Sequence, residues 1–331
     1  MFLMKVSTGS LVLSVALFTA SYLTSLRLPE AGQYSFPESI ARHYSAATGG
    51  STEFGQMASL DEKVSLQNGS VQIREIEIET TSIKVEVETH QDPTIKTIDV
   101  MLQSQRAEKD RPVLIDTSRG QVLRLMTNEL SSSNRRNSFM VFNFDDEKTK
   151  RPRSSLLIRI PQEIEVLKVR TVSANLYASA RPKQLQFQSK SGNLVLNNLN
   201  PGMTTPRFIE NLSVETVSGK LKGPGDFQAL KFNSVSGDVK LTSWGTEIES
   251  ISSQTISGDF EVDLPTTASL QAIDASISFD SKSGTLKVDD QTQKTRSLTM
   301  GKGRASVSVV SVSGDLEIST DDRDSSDEDG D

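Results

Sequence analysis

A twelve-residue phrase occurs seven times between Leu167 and Ile318, and no other feature of this sequence limits its fold as strongly. The copies are LKVRTVSANLYA (167–178), LQFQSKSGNLVL (185–196), LSVETVSGKLKG (212–223), LKFNSVSGDVKL (230–241), ISSQTISGDFEV (251–262), ISFDSKSGTLKV (277–288) and VSVVSVSGDLEI (307–318). The consensus reads apolar-x-apolar-x-Ser/Thr-x-Ser-Gly-Asp/Asn-apolar-x-apolar. The central Ala or Gly recurs at intervals of 18, 27, 18, 21, 26 and 30 residues. One such unit cannot bury its own apolar face, so self-similarity near this period implies coils that stack on one another.

Each phrase reads as two short strands flanking a sharp bend, with alternate residues turned inward. Leu230, Phe232, Val239 and Leu241 of one copy are expected to stack on Leu212, Val214 and Leu221 of the copy before. The bends are assigned to Ser173 and Ala174, Ser191 and Gly192, Ser218 and Gly219, Ser236, Gly237 and Asp238, Ser257, Gly258 and Asp259, Ser283 and Gly284, and Ser313, Gly314 and Asp315. The glycines are expected to supply a backbone conformation that residues with side chains resist. The Asp and Asn residues after them are expected to bond to their own turns. Ala174 breaks the glycine column, which points to a relaxed bend or an end coil. Ser or Thr fills the fifth and seventh positions of every copy, so two hydroxyl ladders should run along the stack. An antiparallel sandwich of hairpins would also place two strands in each phrase, but columns that match across all seven copies favour stacking.

The fold class expected is all-β, a short parallel β-solenoid of β-helix type with a strand-rich N-terminal cap region. Ahead of it, alternating segments such as VSLQNGSVQI (64–73) and IEIETTSIKVEVE (76–88) read as half-buried strands, with Asn68–Gly69 at a tight reversal. Further strands are expected at 95–102, 112–117, 121–126, 138–144 and 155–161. Open solenoid ends expose unpaired backbone, so both need covers. The middle segment should cover the first copy, and residues 289–304 should loop across the seventh copy as the last coil.

Val6 to Leu26 is an uncharged run after Lys5, with its most apolar part at LVLSVALF (11–18). It suits a secretory signal peptide or an N-terminal transmembrane helix, with the body on the outer side. The organisation expected is therefore a signal or anchor over 1–27, a linker over 28–60, a strand-rich cap or first β domain over 61–161, the repeat solenoid over 162–320 and an acidic disordered tail over 321–331. The tail carries most of the formal charge of −7, leaving a nearly neutral body with no general attraction to nucleic acid. A basic cluster at Arg135, Arg136, Lys148, Lys150, Arg151 and Arg153 has acids beside it and no interleaved aromatics, as in a solvated loop.

With these residues laid out, the chain resembles the bacterial putative-adhesin family of unknown function. The likeness is strongest at TVSGKLKG (216–223), SVSGDVKL (234–241), TISGDFEV (255–262) and SVSGDLEI (311–318). Ala174, Lys220, Thr285 and the unrepetitive stretch from about 100 to 160 depart from the pattern. The resemblance implies a cell-envelope protein, membrane-anchored or secreted, on the periplasmic or extracellular face. It would act as an adhesin-like interaction or scaffold module toward an envelope protein, lipid or glycan. An envelope-stress accessory or sensor role is the alternative the family suggests.

Chemistry is sparse. There is no cysteine, which excludes thiol nucleophiles and Cys-ligated metals. The only histidines, His43 and His90, lie in different segments, and His90 beside Asp92 reads as a surface turn. No H-E-x-x-H, G-x-S-x-G or phosphate-cradling glycine motif occurs. Polysaccharide-cleaving β-helices need converging carboxylates on adjacent coils. Here the column Asn193, Asp238, Asp259 and Asp315 is interrupted by Lys220 and Thr285. No catalytic residue, cofactor or metal is therefore expected, and a carbohydrate-active enzyme is the least favoured reading. Glu75, Glu77, Glu79, Glu86 and Glu88 are expected to form a wet face.

Overall fold

In a computed structural model the chain divides into two compact units, Met1–Ala46 and Ala47–Asp331. The structure describes residues 58–65, 67–68, 71–104, 113–116, 121–128, 154–198, 208–264, 273–289 and 291–319, all in the second unit. The uncharged amino-terminal run, residues 28–57 of the expected linker, the strand expected at 138–144, the basic cluster and the acidic tail lie outside them, while the last three residues expected in the linker begin the strand Ala58–Ser65. Every regular element among the described residues is a strand.

Each phrase contributes one strand to each of two sheets, and like positions pair in parallel register from copy to copy. Leu212 lies beside Leu230, Val214 beside Phe232, and Leu221 beside Val239. The first sheet has eleven strands and the second twelve, and coils built from one strand of each can be numbered by stacking order. Coil 1 is Val122–Asn128 with Ser154–Ile160, and coil 2 is Glu75–Thr80 with Lys84–Thr89. Coil 3 is Val166–Thr171 with Leu176–Ala178, coil 4 Gln184–Ser189 with Leu194–Leu196, and coil 5 Ile209–Thr216 with Leu221–Pro224. Coil 6 is Phe227–Asn233 with Val239–Ser243, and coil 7 is Ser250–Gln254 with Phe260–Asp263. Coil 8 is Ala305–Ser311 with Leu316–Ser319, and coil 9 is Ala275–Ser281 with Leu286–Val288.

Two coils were hidden in the middle segment. In coil 2, Ile76, Ile78, Thr80, Val85 and Val87 pair in register with Leu167, Val169, Thr171, Leu176 and Ala178 of coil 3. It is an eighth copy of the phrase, disguised because Ile83 stands where the others carry Gly or Ala. Coil 1 pairs with coil 2 in the same way, Leu123 beside Ile76 and Leu156 beside Val85, but residues 129–153 separate its two strands. Both sheets thus run without a break across residue 161.

Stacking order departs from chain order at both ends. Coil 1 follows coil 2 in sequence yet lies outside it. The seventh copy, coil 8, is inserted between coils 7 and 9, pairing in parallel with both. It is therefore not the last coil, which corrects the expectation for that end. Antiparallel strands close the stack. Thr97–Ser104 pairs with Ser154–Ile160 of coil 1 and is itself flanked by Ala58–Ser65, while Val113–Asp116 pairs with Val122–Asn128. At the other end Gln291–Thr292 and Ser297–Met300 border the two strands of coil 9. Residues 289–304 thus cover the sixth copy rather than the seventh. At the amino end the middle segment lies against the first copy through coil 2, itself a coil of the stack, and Ser154–Ile160 lies against coil 2 and not against the first copy.

The interior is apolar columns. On the first sheet, Leu125, Ile78, Val169, Phe187, Val214, Phe232, Val309 and Phe279 are all buried, and only Ser253 of coil 7 is polar in that column. Coil 7 compensates with Phe260, the one aromatic in the facing column of the second sheet. Each such large side chain contributes roughly 1.5–3 kcal/mol on burial.

Candidate interaction faces

The bend residues build one corner of the solenoid. Ser189 Oγ accepts from the Gly192 N–H at 2.6 Å, and Thr171, Thr216, Ser234, Thr255, Ser281 and Ser311 do the same three residues ahead, at 2.7–3.0 Å. The same hydroxyls donate to a carbonyl of the neighbouring coil, as Ser234 does to Val217 at 3.2 Å. Ser173, Ser218, Ser236, Ser283 and Ser313 at the seventh position also reach the neighbouring coil, at 3.2–3.4 Å. Two hydroxyl ladders run along the corner, and the inner one continues to coils 1 and 2 through Thr127 and Thr80, 2.9 Å apart.

The glycines are required for a reason other than the one expected. None of the phrase-centre glycines has a positive φ. A Cβ built on Gly219 would lie 2.0 Å from the Gly192 carbonyl oxygen, and one on Gly237 2.0 Å from that of Gly219. Gly192, Gly258, Gly314 and Gly284 each meet the preceding coil in the same way at 1.9 Å. Stacked backbones exclude the side chain. Ala174, which faces Ile83 of coil 2, keeps the common bond to Thr171, and it is not in an end coil.

The Asp and Asn residues bond forward to the next coil rather than to their own turns. Asn175 Oδ1 accepts from the Asn193 N–H at 2.9 Å, Asn193 Oδ1 from Lys220 at 2.8 Å, and Asp238 Oδ1 from Asp259 at 3.2 Å. Asp259 Oδ1 accepts from Asp315 at 2.8 Å, and Asp315 Oδ1 from Thr285 at 2.7 Å. The column is a ladder of intercoil acceptors. Among the described residues no group of three or more His, Asp or Glu side chains is placed to hold a metal ion. His90, expected at the surface, is buried, its Nε2 2.8 Å from the Thr97 carbonyl oxygen. Asp92 caps the following turn through Thr94.

Outside the corner, each sheet presents an outward face on which opposite charges of neighbouring coils pair in places. On the first sheet Glu77 of coil 2 takes Arg124 of coil 1 on one side and Lys168 of coil 3 on the other. Desolvation pushes the Glu77 carboxyl up, but the Arg124 hydrogen bond and the two cations outweigh it and hold it below the ordinary glutamate value. Lys168 also pairs with Glu75, and that bond raises its own proton affinity. Toward coils 7, 8 and 9 the same face turns to uncharged hydroxyls, with Ser250, Ser306 and Ser276 in one row and Ser252, Ser308 and Ser278 in the next. On the second sheet Lys240 of coil 6 binds Glu261 at 3.2 Å and Asp263 at 2.8 Å on coil 7. Desolvation and the Asp263 charge raise the Glu261 carboxyl. Desolvation also pushes Asp263 up, but its bonds to Lys240 and Ser319 outweigh this and lower it.

The third side consists of connections of unequal length, and there lies a cleft of about 520 Å³ walled by Arg74, Glu163, Glu165, Lys183, Phe208 and Glu210, with Arg181 at its back. The Arg181 side chain is 1% exposed. Its Nη1 donates to the carbonyls of Ala178 at 3.0 Å and Ala180 at 3.3 Å, and its Nη2 to that of Asn197 at 2.6 Å. Asp226 lies 3.3 Å away. One guanidinium thus ties the connections after coils 3, 4 and 5. Sequence reading passed over it because Arg181 lies outside the phrase, where no periodicity marks it.

The family model described as Toastrack DUF4097 matches residues 73–247 and 224–319. No curated protein matches the sequence. Among solved structures the chain is similar to one described as a putative adhesin from Bacteroides fragilis NCTC 9343, with 14% identity, a TM-score of 0.43, and 80% of this chain and 97% of that one covered. It is also similar to a putative cell adhesion protein from Clostridium sporogenes ATCC 15579, at 10% identity and a TM-score of 0.35, covering 80% and 100%. A putative lipid binding protein from Parabacteroides distasonis ATCC 8503 matches at 12% identity and a TM-score of 0.34, covering 80% and 97%.

Proposed function

This chain belongs to the Toastrack DUF4097 family, and from that premise we propose that it is a non-catalytic interaction or scaffold module of the bacterial cell envelope. The observation that carries the reading is the use of its polar side chains. Hydroxyls, Asn and Asp at the corner are spent on bonds between coils, and the sheets turn outward as in-register ladders of charge and hydroxyl. Such surfaces repeat at the strand spacing over many coils, which suits contact with an extended macromolecule more than capture of one small substrate. The uncharged run at Val6–Leu26 supports placement outside the inner membrane, and the partner is an envelope protein, lipid or glycan.

The test is photo-crosslinking in cells, with a photoreactive residue placed in the full chain at Gln186, Lys222 or Ser308, one position per variant. A recurrent adduct with one envelope component from at least one face is expected. Folded, envelope-located variants that yield no adduct at any position would count against an interaction module. Release of new reducing ends from a polysaccharide by the purified chain would overturn the non-catalytic part.

A further inference from the structure

The last copy in the chain occupies an interior position, and this has consequences for how two molecules can meet. Coil 8 fills a slot whose two walls, coils 7 and 9, are both made from earlier parts of the chain. On one wall it is held by the bonds Ser306 N–H to Glu249 carbonyl at 2.8 Å, Val312 N–H to Ile256 at 3.1 Å and Phe260 N–H to Asp315 at 2.9 Å. On the other wall are Ser283 N–H to Val312 at 3.1 Å, Leu316 N–H to Thr285 at 2.9 Å and Asp289 N–H to Ile318 at 2.9 Å. Gly314 sits against the Gly258 carbonyl as Gly284 sits against that of Gly314. Slot and coil are therefore complementary along both sheets and at the bend.

The connection to coil 8 is short and local. Strand Ser297–Met300 lies outside coil 9, and residues 301–304 (GKGR) cross past the start of coil 9 to reach Ala305 on its inner side. Gly301 and Gly303 have φ of 61° and 70°. The crossing is pinned by Asp274, whose Oδ1 accepts from the Lys302 N–H at 2.7 Å and the Arg304 N–H at 3.1 Å, and Arg304 donates to the Thr246 carbonyl.

We propose that the slot between coils 7 and 9 is a docking site for coil 8 of a second copy of this chain, so that two molecules exchange residues 305–319 and form a dimer. An exchanged coil would make every intercoil bond just described, because both walls see the same sequence in the same register. Only residues 301–304 must change path, and glycine adopts an extended conformation as readily as a left-handed one. Exchange conserves the bonds and alters one hinge, the condition under which concentration decides between closed monomer and swapped dimer. The Asp274 bonds favour the closed form, since they exist only while the hinge wraps its own coil 9.

The chain lacks cysteine, so introduced thiols report contacts without interference. Ser252 and Ser308 are directly paired neighbours on the outer face, one on each side of the slot boundary. Full-length Ser252→Cys and Ser308→Cys chains are unfolded together at high concentration, refolded and treated with a short bis-maleimide. A Ser213→Cys and Ser308→Cys mixture serves as the collision control, because Ser213 lies on coil 5. The expected result is covalent heterodimer several-fold above the control, rising further when Asp274→Ala is added to both chains. A single chain carrying Ser252→Cys and Ser308→Cys should crosslink internally when refolded dilute, which shows that the slot has closed. Efficient internal crosslinking with no heterodimer above the control, with or without Asp274→Ala, would overturn the proposal.

Discussion

At the corner of this solenoid a single hydrogen atom decides whether coils can stack. The Gly237 Cα approaches the Gly219 carbonyl so closely that a methyl group there would lie 2.0 Å from the oxygen. Gly237→Ala should therefore wedge coils 5 and 6 apart and cost about 1–3 kcal/mol or more, as overpacking does. The reverse change, Ala174→Gly, removes only a methyl and should cost less than about 1 kcal/mol. Equal shifts in the urea midpoints of the two variants would contradict the stacking account. The phrase shows from sequence alone that glycine is needed, but the reason lies in a neighbouring coil 18 to 30 residues away in most cases, so a local reading invokes φ instead. Asp238 and Asp259 mislead in the same way, since they bond to the next coil. Arg181 lies outside every pattern, yet its guanidinium satisfies carbonyls on two connections and pairs with Asp226 on a third. Arg181→Met should destabilise by about 3 kcal/mol, because buried carbonyls and Asp226 lose a charged donor. A melting temperature unchanged from the parent would show that water replaces it without loss.

Between neighbouring coils the charged ladders make pairing sensitive to acid in a way that can be located. Glu77 joins coil 1 to coil 2 through Arg124 and coil 2 to coil 3 through Lys168. Its folded proton affinity is lowered relative to an unfolded chain. The stability it contributes is therefore fully present above the ordinary glutamate value and is lost as pH falls through its depressed folded value. Glu77→Gln should leave the stability curve shallower on its acid side, with the smallest difference from the parent at the lowest pH, as equilibrium unfolding across that range would show. A constant offset at every pH would mean that Glu77 acts through packing alone. The same elements show where sequence legibility ends. Six copies announce themselves because Ser-Gly occurs nowhere else in the chain, and the copy at 167–178 is recognised by the same pattern around Ser173 and Ala174. Coil 2 keeps the alternation, Thr80 and Ser82, but Ile83 removes the mark by which copies are counted. Coil 1 is cut by an insertion of 25 residues, 129–153, at the bend itself.

For the whole molecule, the property least visible in sequence is the order in which coils stack. Because all copies share one pattern, any coil fits beside any other, and chain adjacency is the natural guess. The guess fails at both ends for a common reason. Antiparallel strands have to close each stack, and in both cases the chain lays down a cover first and then inserts a coil beneath it: coil 1 under Thr97–Ser104 and Val113–Asp116, coil 8 inside coil 9 and its border strands. Stability in a solenoid is a sum over neighbouring coils, so a unit paired on one side only should open most readily. Coil 8 is the last folded segment among the described residues, and chain adjacency would leave it with one partner and early exchange. Insertion gives both its strands two partners. Amides of Val307 and Val309 should accordingly be as protected in native-state hydrogen exchange as those of Leu230 and Phe232 in coil 6, while those of Ser297–Met300 exchange first. Position rather than residue type sets this protection, because coils 6 and 8 share SVSGD and the same apolar alternation. Exchange at Val307 and Val309 as fast as at Ser297–Met300 would mean that coil 8 leaves its slot easily, and a cover held on by such a coil would not close the stack.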